Sequence, residues 1–351
     1  MSTTDAQAIA DAAATALLAG HLAILPTETV YGLAARADDP EAVAGIYAAK
    51  GRPLDHPVIV HVADGRAALE TSTPQAWARE VPPYAHALAA AFWPGPMSLV
   101  LLRAPRSGDH VTGGQDTVAL RVPGHPLARE VLCRMDELDP AGAPHGVAAP
   151  SANRFGRVSP TTAEHAMEEF AEVLDPVQYV VVDGGTSDVG LESTIVDCTG
   201  EVPRILRPGA VSAADVERAT GLVTAEAGRG IRVPGALPSH YAPNAHLVLA
   251  PDGPALCAVL DSAIEAGLAP DAIGVIAPGE LDTPEGARRL LAPMSHAEYA
   301  RGLYAAMRAA DRDGLRMIVA IPPERDAEGI GDAVADRLRR AAAPRPGSLE
   351  G

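Results

Sequence analysis

Two α/β units are predicted for this chain: a larger mixed-sheet domain over residues 1–209 and a smaller three-layer domain over residues 244–345, joined by a linker at 210–243. Three observations lead there. Short apolar runs rich in Val and Ile, such as Pro57-Val58-Ile59-Val60-His61-Val62, alternate with stretches of helical spacing, and those two periods separate strand from helix. Up to residue 209 their order is irregular, whereas beyond residue 243 strand and helix alternate, the pattern of a largely parallel sheet covered on both faces. Between the two, residues 210–243 hold little apolar period and include Gly228, Gly230, Pro234, Gly235, Pro238 and Pro243; long connections of that kind are often functional.

Taken in order, residues 5–19 have helical spacing, and 22–25 read as a short buried strand ending at Pro26. A helix over 40–50 runs into Lys50, with Gly51 to end it and Pro53 to prevent a restart. A strand at 57–62 precedes a helix at 83–92, which stops at Trp93-Pro94-Gly95-Pro96, and strands follow at 97–102 and 117–122. Thr161-Thr162-Ala163-Glu164 reads as a capping box with Thr161 as the cap. Further strands are expected at 180–183 and 193–197. After the linker, strands fit 246–250, 273–277 and 317–321, and helices fit 254–266, 296–312 and 331–341, with a second capping box at Ser295-His296-Ala297-Glu298. The tail Pro344-Arg345-Pro346-Gly347 is expected to fray.

Composition narrows the function classes. With 351 residues, 47% hydrophobic and 21% charged, the chain can build two cores and is not disordered. A net charge of -17 opposes a general nucleic-acid or anionic-membrane binder, while allowing a local basic pocket. The Ala-rich stretches are broken by charge and proline, so no membrane span is expected. Met1-Ser2-Thr3-Thr4-Asp5 lacks the basic start of a secretory signal. Cys133, Cys198 and Cys257 are far apart and odd in number, which fits neither a disulfide framework nor a zinc knuckle. The expectation is a cytoplasmic protein with buried or inert thiols.

Of the 28 Lys and Arg residues, Lys50 alone is lysine. Lysine is a compact point charge and arginine a flat fork, so a site that sets a point charge against a phosphate oxygen has reason to keep lysine. Three loops gather polar groups beside small residues: Pro26 to Leu33, Lys50-Gly51-Arg52-Pro53, and Ala149 to Asn153 with its continuation to Pro160. Their hydroxyls, amide and cations suit a polyphosphate, although no Walker loop or GxGxxG is present. Arg121 lies in the apolar run Thr117 to Val122, on one face with Thr117 and Ala119. A buried arginine needs an anion, either an internal carboxylate or a substrate's. His61 closes a strand, and Glu192-Ser193-Thr194 follows glycines that permit either a close ligand approach or a flexible hairpin. There is no Gly-x-Ser-x-Gly elbow, and no His/Cys cluster has metal-ligand spacing.

Thr27-Glu28-Thr29-Val30-Tyr31-Gly32-Leu33, Lys50-Gly51-Arg52-Pro53 with Pro57 to His61, Phe92-Trp93-Pro94-Gly95-Pro96, Thr117 to Pro123, Ser151-Ala152-Asn153, Gly190-Leu191-Glu192-Ser193-Thr194 and Leu206-Arg207-Pro208-Gly209 occur in that order. Together they resemble the YrdC/Sua5 family. Ser239-His240-Tyr241-Ala242-Pro243 resembles the hinge motif of its longer, Sua5-type members. Ala34, Met97-Ser98 and His56 depart from the usual pattern without removing a charged or hydroxyl group assigned below.

The resemblance implies an N-terminal YrdC-like twisted mixed sheet with helices and a smaller C-terminal Rossmann-like three-layer domain. It implies a threonylcarbamoyl-AMP synthase that joins L-threonine, bicarbonate or CO2 and ATP, releases pyrophosphate, and serves t6A modification of tRNA. By resemblance, Lys50 and Arg52 act in catalysis and bind the phosphates; Thr117, Ser151, Asn153, Ser159, Arg207 and Tyr241 complete the ATP site; Thr27, His61, Arg121 and Ser193 bind threonine. Mg2+ is expected with ATP through phosphate oxygens rather than protein ligands, with no organic cofactor. Implied partners are the downstream t6A transferase proteins and, weakly, tRNA, with no membrane. The alternatives are a carbamoyltransferase that handles carbamoyl-adenylates, for which no accessory module is visible, and an RNA-binding module, which the net charge opposes.

Overall fold

The computed structural model describes residues 3–225, 230–235, 237–324 and 329–344. Among the described residues ten strands precede the linker: β1 (Leu22–Leu25), β2 (Gly32–Arg36), β3 (Ile59–Val62), β4 (Ala78–Glu80), β5 (Met97–Arg103), β6 (Thr117–Arg121), β7 (Gly146–Ala148), β8 (Tyr179–Val181), β9 (Thr194–Asp197) and β10 (Arg204–Arg207). They form one mixed sheet in the order β10-β9-β5-β6-β3-β7-β2-β1-β8, with β4 paired to β5. Successive side chains of a strand face opposite ways, and β1 feeds two cores accordingly. Leu22 and Ile24 join a cluster with Ile46, Leu88 and Leu99 on one face, and Ala23 and Leu25 join Leu17, Leu132 and Met135 on the other.

Local chemistry explains the helix that ends at Lys50. It runs Pro40–Lys50; the Asp39 carboxylate accepts from the amides of Glu41 and Ala42, and Gly51 closes it with φ 62°. The capping expectation at Thr161 is off by one residue: the cap is Thr162, which is extended and accepts from His165 N, and the helix is Ala163–Phe170. At the other expected box, Ser295 accepts from Glu298 N at 3.2 Å, but the Glu298 carboxylate caps Met294 N at 2.8 Å. Several elements lay outside the expectations: β2, β7 and β10, and the helix Pro126–Leu138, which packs beside the helix Thr3–Leu18.

The linker is not wholly irregular. It opens with the helix Ala213–Thr220, whose N-terminus is a complete capping box between Ser212 and Asp215. The surrounding Gly and Pro masked this two-turn element. Ile231 and Val233 then pack on Ile59, Ala119 and Ile195 across the sheet.

The second unit has β11 (His246–Leu249), β12 (Ile273–Ile276), β13 (Arg288–Leu291) and β14 (Met317–Ala320), all parallel, in the order β11-β14-β12-β13. The helix Gly253–Glu265 contributes Leu256 and Leu260 to one face. The helices His296–Arg312 and Ile330–Ala342 cover the other. Their apolar cluster also takes in Val30, Val158 and Leu191 of the first unit, so one core joins the two. Gly190 belongs to this seam: a Cβ there would meet Arg301 Cα at 2.6 Å. The close approach that this glycine permits is therefore to a helix and not to a ligand. Among the described residues no helix is long and apolar enough to cross a membrane. Cys198 is buried and Cys133 half-buried, whereas Cys257 is exposed, so burial does not account for that thiol. Within the tail, residues 345–347 lie outside the described residues.

Candidate active site

The three motif loops meet at the sheet. The turn between β1 and β2 is held by Thr27, whose Oγ1 donates to Val30 O at 2.6 Å and accepts from Val30 N at 3.1 Å. Gly32 bridges Ser151, Leu33 N donates to Pro150 O, and Tyr31 N donates to Pro160 O, so the first and third loops are zipped together. Lys50, 2% exposed, fixes the second loop to the third: Nζ donates to Ser151 O at 2.6 Å and to Asn153 O. Burial, and then the nearby Arg52, hold its ammonium well below the usual lysine pKa. The Asn153 amide donates to Arg154 O and Arg157 O, while its buried Oδ1 has no partner among the described residues.

These loops border a cavity lined by Thr27, Arg52, His61, Arg121, Ser151, Glu192, Ser193, Arg207, Pro234, Gly235, His240 and Tyr241, among others. Its two ends differ in charge. At one, the parallel register of β3 and β6 sets His61 beside Arg121. Arg121 NH2 donates to Glu28 Oε1 at 2.6 Å, NH1 to Thr29 Oγ1 at 3.0 Å and Nε to Gly95 O at 3.2 Å. Glu28 Oε2 accepts from Gly124 N. Burial would raise the Glu28 carboxyl, but Arg121 outweighs it and holds the pKa below the usual value. The same burial, then Arg121, push His61 down to about 3, leaving a neutral ring whose Nδ1 has no partner among the described residues.

At the other end Arg52 and Arg207 have no carboxylate partner among the described residues. Arg52 NH2 donates to Pro57 O, and Arg207 donates to Ser193 O, Ser193 Oγ and Pro234 O. Burial lowers both pKa values, Arg52 to about 10, and a guanidinium in a protein keeps its proton at neutral pH. The linker closes this end. Tyr241, with φ 61°, is 1% exposed and points its hydroxyl at Gly235, where a Cβ would lie 1.9 Å away. Only glycine fits there. A tyrosine in that backbone region costs about 1–3 kcal/mol. Contacts with His240 (ring centroids 4.1 Å apart), with Tyr304 (5.7 Å) and with Arg337 above its ring hold it.

Of the residues expected from sequence, Thr27, Arg52, His61, Arg121, Ser151, Ser193, Arg207 and Tyr241 line this one cavity. Lys50 and Asn153 stand behind it as loop fasteners, and Ser159 Oγ donates to Glu192 Oε1 at 2.6 Å. Thr117 starts β6, four residues and about 13 Å from Arg121, and does not line the cavity. Glu28 went unassigned at the sequence level. Its signal was there: a carboxylate among residues 22–33, otherwise largely apolar, faces the same burial problem as Arg121. Glu192 and His240 belong to the family motifs, but no local signal marks their place at the cavity.

Comparison with known proteins supplies the remaining observation. Residues 15–209 match the Sua5–YciO–YrdC family, described as telomere recombination, and residues 210–343 match the threonylcarbamoyl-AMP synthase C-terminal domain. The chain belongs to the YrdC/Sua5 family. A Pyrococcus abyssi protein named threonylcarbamoyl-AMP synthase is 37% identical over 93% of this chain and 92% of its own length. The protein of that name from Bacillus subtilis is 37% identical over 98% and 95%. The crystal structure of P. abyssi Sua5 complexed with L-threonine is similar with a TM-score of 0.82 and 35% identity, covering 95% of this chain and 94% of that one. Both halves of this YrdC/Sua5 member, mixed sheet and parallel sheet, are therefore matched together.

Proposed function

We propose that this chain is a threonylcarbamoyl-AMP synthase, making threonylcarbamoyl-adenylate from L-threonine, bicarbonate or CO2, and ATP for t6A modification of tRNA. One observation carries the reading: a single cavity with a charge-compensated arginine at one end and two uncompensated arginines at the other. Threonine is a zwitterion of no net charge and suits the first end. A triphosphate is a polyanion and suits the second.

In the reaction the threonine amine forms an N–C bond to CO2 and loses a proton. A carbamate oxygen then attacks the α-phosphorus of ATP, and the α–β bond breaks to release pyrophosphate. The protein's task is placement and charge neutralisation. Arg121 commits three of its N–H groups to Glu28, Thr29 and Gly95, and a guanidinium has five. The two left over are assigned to the threonine carboxylate, with Thr27, Ser193 and the neutral His61 around the rest of the amino acid. Arg52 and Arg207 take the phosphates. Lys50 donates to Ser151 O and Asn153 O and so fixes the second and third loops that frame the phosphate end. Ser151, Asn153 and Ser159 keep the third loop and Glu192 in place, and Tyr241 with its linker excludes water from a labile adenylate. The carboxylates at the cavity, Glu28 and Glu192, are committed to protein donors. Mg2+ would accordingly ride on phosphate oxygens and water, where it neutralises charge. A cytoplasmic place of action and hand-over to separate t6A transferase proteins belong to the same proposal.

The test is pyrophosphate release with each substrate omitted in turn and serine in place of threonine. Release is expected only with threonine, bicarbonate and Mg-ATP together, and mass spectrometry should find threonylcarbamoyl-adenylate. ATP turnover that ignores threonine would overturn the reading.

A further inference from the structure

Glu192 stands in the cavity wall beside Arg207, yet both of its oxygens are engaged elsewhere. Oε1 accepts from Ser159 Oγ at 2.6 Å, and Oε2 accepts from Arg337 Nε at 2.8 Å and Tyr304 OH at 2.9 Å. Arg337 and Tyr304 come from the helices Ile330–Ala342 and His296–Arg312 of the second unit. Both side chains are wholly buried, and Arg337 spends its other nitrogens on Asp336 Oδ2 at 2.8 Å and Pro208 O at 3.1 Å. Arg337 also lies over the Tyr241 ring, 5.3 Å from its centroid.

A buried carboxylate cannot stay charged without a counter-ion. Were Arg337 absent, a cation still within the same cavity wall would be Arg207, which already donates to the carbonyl of Ser193, the residue next to Glu192. Pairing them would cancel one of the two free cations that face the cavity and would draw Arg207 off Ser193 and Pro234. We propose that Arg337, assisted by Tyr304, is a positioning residue through which the second unit supplies the counter-charge of Glu192 and so keeps Arg207 and Arg52 free for an anionic ligand. The second unit thereby acts on the site without touching the substrate. This inference rests on reading the Arg52–Arg207 end as the phosphate end.

The experiment measures binding of inorganic pyrophosphate by calorimetry, and KM for ATP and for threonine, in the full chain. Arg337→Met keeps the length and removes the charge. It should weaken pyrophosphate binding and raise the ATP KM roughly tenfold, the size of coupling found between neighbouring charged groups, with the threonine KM within about twofold. Glu192→Gln combined with Arg337→Met removes the carboxylate as well and should recover most of that loss. A loss of packing alone would lower the unfolding temperature without splitting the two KM values, and the second substitution would not repair it. The inference is overturned if Arg337→Met leaves pyrophosphate affinity unchanged, or if the double variant is as weak as the single one. Should Arg337→Met not fold, Tyr304→Phe deletes one hydrogen bond to the same oxygen and should shift ATP KM in the same direction; no shift overturns the inference. A wild-type protein that binds pyrophosphate but releases none from ATP would defeat the synthase reading and leave this comparison to decide the role of Arg337.

Discussion

At one end of the cavity Arg121 is gripped by Glu28 at 2.6 Å; at the other, Arg52 and Arg207 meet carbonyl and hydroxyl acceptors and no described carboxylate. All three guanidiniums are almost fully buried. The difference teaches what each end has been built to tolerate. The Arg121 end is complete without a ligand, because its charge is cancelled inside the fold. The Arg52–Arg207 end holds two like charges, each lowered in pKa by burial, and gains from an incoming anion. Stability and binding are thus divided between the two ends.

The most forceful way to break that contrast is a matched pair of substitutions. Arg121→Ala strands the Glu28 carboxylate and should cost about 3–5 kcal/mol of stability, as breaking a buried pair does; a chemical denaturation curve reads it. Arg52→Ala strands no carboxylate and should leave the midpoint nearly in place, while kcat/KM for ATP falls about 100-fold through lost charge stabilisation. Equal losses of stability in the two variants would erase the distinction.

Next in size is Lys50→Arg. The ammonium sits between two carbonyls in a space with 2% exposure, and the larger fork must push the loops apart. A loss of about 1–3 kcal/mol of stability is expected from overpacking the filled site, together with a fall in kcat. Full activity in steady-state turnover would show that a point charge is not required.

The pH dependence of stability sharpens the comparison further. His61 and His240 are buried neutral, with pKa values pushed from 6.5 to about 3 in the folded state. The unfolded chain takes up those protons first, so stability is complete above pH 6.5 and falls as pH drops from there toward 3. Glu192 is held at about 2 against 4.5 by Arg337 and Arg207, which outweigh its burial. Its contribution is present above 4.5 and is lost as pH falls toward 2. Unfolding temperature should therefore decline in two stages. Replacing His61 with Asn should make the first stage shallower, with His240 still contributing, and leave the second; a curve unaltered between pH 6.5 and 4.5 would contradict the burial argument. The smallest effect belongs to Thr117→Val, expected to change either KM by less than about twofold because the residue lies about 13 Å along the strand from Arg121; a larger shift in ATP KM would move the phosphate end to that side of the sheet.

Much of this was legible from local chemistry. Asp39, Pro40 and Gly51 punctuate the helix that delivers Lys50, and such caps depend only on neighbours in the chain. The run 57–62 announces β3 by its β-branched residues, and the three loops that meet at the cavity were visible as clusters of polar groups. Short elements such as β7, with three residues, and β13, which begins Arg288-Arg289, gave too little apolar period to be seen. The helix Ala213–Thr220 was hidden by the glycines and prolines around it.

What the sequence by itself determined is the inventory: a lone lysine after a capped helix, an arginine inside an apolar strand, hydroxyl-rich loops, and two α/β units divided by a linker. Their periods and caps are short-range properties. The tertiary structure decided which charges cancel. Glu28 meets Arg121 across 93 positions and Glu192 meets Arg337 across 145, and no local pattern encodes either pairing. Strand register and the packing of the second unit set those distances, and in a dry interior they decide whether a guanidinium is already satisfied or is free to take a ligand.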